Sequence, residues 1–138
     1  MDNQPLFYPE GLSQTQFIQL EACARRAEFS TKEQLRSLAD SHLRNIVQAH
    51  QTNRLINLQL AQAIHQTIQV VLDTWETLAE FPRWWLGGAI FYFAEVADDE
   101  PDFDSPLGFE DDTEVLNACL KFAHCENLCL NPEDYDDV

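Results

Sequence analysis

Four aspartates, Asp98, Asp102, Asp111 and Asp112, carry the densest chemical information in the chain. Carboxylate oxygens supplied from a loop and a helix start are what a hard divalent cation such as magnesium, manganese or calcium requires. The same residues have a structural use. Asp111 and Asp112 are placed to precede a helix, where carboxylates accept backbone N–H bonds and complement the helix dipole, and Asp98 and Asp102 can order loop amides. The spacing is not that of an EF-hand: a loop started at Asp98 puts Phe103 at the sharp-turn glycine and Phe109 at the closing glutamate.

Other reactive side chains form weaker patterns. Cys119, His124, Cys125 and Cys129 lack the short paired knuckles of a structural zinc site, so reduced, idle thiols are the expectation. His42, His50 and His65 lie in helical stretches without acidic or cysteine partners at ligand spacing. There is no glycine-flanked serine, phosphate-cradling glycine loop or helical histidine pair, and an enzyme is the less favoured reading.

Charge narrows the partners. The chain of 138 residues has 24 acidic and 8 basic side chains, a formal charge of −16. Residues 91–138 hold 15 of the acids and one basic residue, Lys121, while the first 90 residues are nearly balanced. Such a field repels nucleic-acid phosphates and anionic lipid and attracts a basic partner surface, so direct nucleic-acid binding is not expected. The start of the chain has neither the basic residues nor the apolar run of a secretory signal, which points to the cytoplasm. The longest apolar run, Trp84 to Ala94, is too short to span a bilayer.

The elements that must position these residues are helical. Ser13 with Gln16 has capping-box spacing, and Phe17, Leu20, Ala24 and Ala27 follow at helical intervals, which predicts a first helix over 13–28. Ser30 with Glu33 repeats the signature and predicts a second helix to about residue 50. Asn53 is the expected N-cap of a long third helix with Leu60, Ile64, Ile68, Val71, Trp75 and Leu78 on one face and Gln59, Gln62, Gln66, Gln69 and Asp73 on the other. Phe81-Pro82 should break it. A fourth helix over 82–97, apolar all round, then forms the bundle centre, with Gly87-Gly88 allowing a neighbour to approach closely. An ordered acidic loop over 98–110 and a fifth helix from near Asp111 complete the domain.

The segment from Tyr92 to Asp112 resembles the signature of the YkvA-like family, a bacterial domain of unknown function. Tyr92, Asp98, Pro101, Asp102, Leu107, Gly108, Asp111 and Asp112 fall into its pattern without a gap. The resemblance spans about 70–122, and the chain departs from it at Val96, Asp99, Glu100 and Ser105. It implies a helical hairpin joined by an Asp-rich loop and supplies no reaction. Asp99, Glu100, Asp104 and Glu110 are additions to that pattern and, with Glu114, are the expected partner-binding residues.

The expectation is therefore an all-α, single-domain bundle of about five helices: an extension over 1–12, a helical domain over 13–130 and an acidic tail over 131–138. Its expected role is a non-enzymatic interaction module presenting Asp98 to Glu114 to a basic partner. Alternatives are a divalent-metal-binding, even hydrolytic, protein using the four aspartates, and a nucleic-acid mimic that inhibits a DNA-binding protein. Self-association through the glutamine face of the third helix is a further reading.

Overall fold

The Ser13 capping box forms as its spacing requires, and it starts the bundle. In a computed structural model, which describes residues 8–94 and 108–135, the Ser13 hydroxyl accepts the Gln16 N–H at 3.1 Å and the Gln16 carbonyl accepts the Ser13 N–H at 3.0 Å. Helix α1 runs Gln14–Ala27 and buries Leu20, Ala24 and Ala27.

Helix α2, Lys32–Thr52, uses a box one residue later than Ser30 and Glu33 suggest. Thr31 and Gln34 make the reciprocal bonds, at 2.9 and 3.1 Å. The reason is local: the Ser30 N–H is committed to the Ala27 carbonyl at 2.9 Å, closing α1, so Thr31 is the first residue able to cap. Helix α3, Leu58–Asp73, is capped by Asn57 rather than Asn53. The Asn53 side chain instead holds the Leu55 N–H at 3.1 Å in a turn, while that of Asn57 accepts the Leu60 N–H at 3.1 Å. Leu60, Ile64, Ile68 and Val71 are buried on one face as expected. Trp75 and Leu78 lie beyond the helix end, because the Thr74 amide and hydroxyl fold back onto Val71 and a 3-10 turn follows over Trp75–Thr77.

Helix α4, Glu80–Ala94, starts just before Pro82, which takes up the first turn where its missing N–H costs nothing. Trp85 through Ile90, Tyr92 and Phe93 are all buried. Its most extensive contact is with α1, and it also packs on α5 and α2, while α2 pairs with α3. Residues 95–97 of the expected helix and most of the expected loop lie outside the described residues. Helix α5, Gly108–Phe122, begins three residues earlier than Asp111, so Asp111 stands inside its first turn, and Asp112 just after that turn, rather than ahead of the helix.

Helix α5 ends where His124 adopts a left-handed backbone, φ 63°, with Cys125 N–H bonding the Leu120 carbonyl at 2.8 Å. Residues of the expected tail form a further 3-10 turn, Pro132–Tyr135, which seats Tyr135 against the core. The described residues thus make one helical domain without strands, and no helix among them is long and apolar enough to cross a membrane.

Candidate functional site

Gln16 is the residue on which the acidic end of the bundle converges. Because its carbonyl is committed to the Ser13 capping box, its amide group must point away from α1, toward α5. It donates there to Asp111 Oδ1 at 2.5 Å and to Glu114 Oε1 at 2.8 Å. The second Asp111 oxygen, Oδ2, accepts the phenol proton of Tyr92 from α4. Gln19 Oε1 lies 3.3 Å from the same phenol, a longer contact that cannot compete with a carboxylate for one proton. Three helices are thereby tied through a single carboxylate.

The electrostatics follow from this placement. Tyr92 is buried, and burial pushes its phenol well above the ordinary tyrosine value. The hydrogen bond to Asp111 and the fields of Asp111, Asp112 and Cys23 add to the effect. The raised value favours the protonated phenol, which donates to Asp111. Asp112 is only 6% exposed, whereas Glu110, Asp111 and Glu114 face outward from the first turns of α5. Glu110 and Asp111, in the first turn, complement the positive end of the helix dipole, a contribution of about 0.3–1 kcal/mol each.

Of the four aspartates expected to share a cation, Asp111 and Asp112 are neighbours on α5, and both oxygens of Asp111 already accept protein donors. Asp98 and Asp102 lie outside the described residues, as do Asp99, Glu100 and Asp104. No group of three or more histidine, cysteine or acidic side chains able to hold a metal occurs among the described residues. Cys119 is buried, with its sulfur directed at the Trp85 carbonyl at 3.5 Å, and burial pushes its thiol far above the usual range. Burial also raises Cys125 and Cys129.

A second polar cluster escaped the sequence reading, which gives His65 no acidic partner. Asp40 of α2 meets His65 Nε2 of α3 at 2.6 Å, and Gln69 Nε2 donates to the same carboxylate at 3.2 Å. Arg36 then bonds Gln69 Oε1 and, at 3.1 Å, Asp73. Asp40 and His65 are 25 positions apart on different helices, so no local spacing could have joined them; only the pairing of α2 with α3 does.

The fold and the Gln16–Tyr92–Asp111 cluster define an all-helical bundle with a carboxylate-rich end. The chain matches no family model, no curated protein and no solved structure.

Proposed function

We propose that the protein is a non-enzymatic interaction module whose acidic end, Asp98 to Glu114, receives a basic surface of a partner protein. The observation that carries this reading is charge segregation: 15 acids and one basic residue in positions 91–138, against near balance before them. Within that end the chemistry favours presentation over reaction. The Tyr92 proton is locked and both Asp111 oxygens are occupied, while the Glu110 side chain stands exposed. Opposite charge on the partner would speed encounter and make the complex weaken as salt rises.

The test is capture of partners at low and high salt by the native chain and by charge-reversed variants at Asp99, Glu100, Asp104 and Glu110. Partners that persist regardless of salt and of charge reversal would sink the proposal. Partners that are DNA-binding proteins would identify the acidic end as a nucleic-acid mimic. A melting temperature that climbs with millimolar magnesium, manganese or calcium and falls with chelator would favour the cation reading of Asp98, Asp102, Asp111 and Asp112 instead.

A further inference from the structure

The end of the bundle away from the acidic cluster holds an aromatic groove of about 450 Å³ between the end of α1, the start of α2 and the first turns of α4. Trp75, Trp84, Ala27 and Gly87 line it together with polar residues, Ser30 and Thr31 among them. Phe29 stands on its rim and is 88% exposed, the most exposed large apolar side chain among the described residues. Phe81, 54% exposed, lies about 60° around α4 from Trp84 on a helical wheel, which extends the apolar patch past the rim. Phe29 and Phe81 beside Trp75 and Trp84 gather four aromatic side chains around this groove, which suits a contact surface better than a single exposed residue would.

The rim charges narrow the occupant. Lys32 is neutralised by Glu76 at 3.0 Å. The Arg83 side chain makes no ion pair or hydrogen bond among the described residues and acts on Glu76 only through space. The Glu28 and Glu80 side chains are exposed and likewise make none. A cationic peptide would meet Arg83 inside the groove, and an anionic one would meet Glu28 and Glu80. A surface carrying the same mixed set satisfies all three. This chain is such a surface: exposed aromatic, aromatic groove and unpaired charges of both signs lie side by side on one face.

We infer that this face is a two-fold interface between two copies of the chain, in which Phe29 of each enters the Trp75–Trp84 groove of the other and Arg83 pairs across the axis with Glu28 or Glu80. An isologous contact needs a patch that complements itself, and this one carries both an exposed aromatic and a groove, with charges of both signs beside them. Its lining residues also come from the charge-balanced first 90 positions, which lowers the repulsion between two copies meeting here. The inference uses none of the acidic-end residues, and capture of a basic partner is expected to survive loss of this contact.

Sedimentation velocity over about 5–200 µM, bracketing a micromolar dissociation constant, is the test. A monomer–dimer equilibrium is expected, with tryptophan emission moving to shorter wavelength as Trp75 and Trp84 are covered. Phe29→Ala should weaken it by about tenfold or more, the cost of losing a central aromatic anchor, while leaving the thermal melt of the monomer unchanged. Arg83→Glu should also weaken it, and combination with Glu80→Arg or Glu28→Arg should restore it. A chain that stays monomeric throughout that range overturns the inference. So does a dimer indifferent to Phe29→Ala and Arg83→Glu, which would move the contact to another face, the exposed glutamines of α3 included.

Discussion

Asp111 holds the acidic end together because its two oxygens are divided between helices, one to Gln16 of α1 and one to Tyr92 of α4. Hydrogen bonds to a charged group contribute about 1.5–3 kcal/mol, against about 1 for a neutral pair, so this node outweighs the exposed ion pairs elsewhere. Tyr92→Phe should therefore cost about 1–3 kcal/mol in urea unfolding and Asp111→Ala a similar amount. The double variant should be milder than the sum by about 1 kcal/mol, because each change removes the same bond. Strict additivity would show that the two side chains do not interact. His42 supplies a pH-dependent term: burial against Phe93, edge-on at 4.9 Å, pushes its imidazole down to about 4 from an ordinary 6.5. The unfolded chain then binds the extra proton between those values. Stability from this residue is whole above about pH 6.5 and drains as pH falls toward 4, by on the order of 1–3 kcal/mol. Subtracting the profile of His42→Gln cancels the carboxylates that titrate in the same range, and a difference flat from pH 7 to 4 would refute the assignment. Tyr92, Asp111 and Asp112 were visible as positions of a motif, but Gln16 was visible only as a helix cap. Its second role depends on a contact 95 positions away, which no local pattern encodes.

Helix α4 is legible in sequence because it is apolar on every side, and the Gly87-Gly88 pair already indicated a close neighbour. The structure divides the pair. A Cβ on Gly88 would lie 2.8 Å from the Ala24 Cβ and 2.9 Å from the Ala24 Cα and N, so the α1 backbone would have to move. A Cβ on Gly87 would meet the Ala27 Cβ at 3.5 Å, an ordinary contact. Gly88→Ala is expected to destabilise the bundle by about 1–3 kcal/mol or more through overpacking. Gly87→Ala should be neutral or stabilising, since alanine is favoured over glycine in a helix by about 1 kcal/mol. Equal effects of the two in chemical denaturation would mean that α1 and α4 do not cross at Gly88. Helix boundaries were less legible than helix existence, for a specific reason. Ser30-x-x-Glu33 and Thr31-x-x-Gln34 have the same spacing, and Asn53 and Asn57 are equally good caps. The choice in each case is made by which backbone amide the preceding turn has already used, and that information is absent from residue type.

Across the whole molecule, attraction and repulsion are separated along the chain. The ion pairs Lys32–Glu76, Arg36–Asp73 and Arg25–Glu21 all belong to the balanced part, and such exposed pairs contribute only about 0–1 kcal/mol each. The acidic part has Lys121 alone against 15 carboxylates. Mutual repulsion among these like charges opposes folding. The Debye length falls from about 30 Å at 0.01 M salt to about 8 Å at 0.15 M, which screens well-separated like charges but leaves 3 Å pairs less affected. Stability should consequently rise with salt over that range, by on the order of 1 kcal/mol, or about 2–8 °C in melting temperature. Glu110→Gln with Glu126→Gln, both exposed and both in the acidic part, should shrink that response. A melting temperature that is flat or falls with sodium chloride would show that the ion pairs win. The expected sign is opposite to that for binding a basic partner, which salt weakens. One screening effect thus stabilises the isolated protein and loosens its proposed complex, and a salt titration of each reads the same acidic end from both sides.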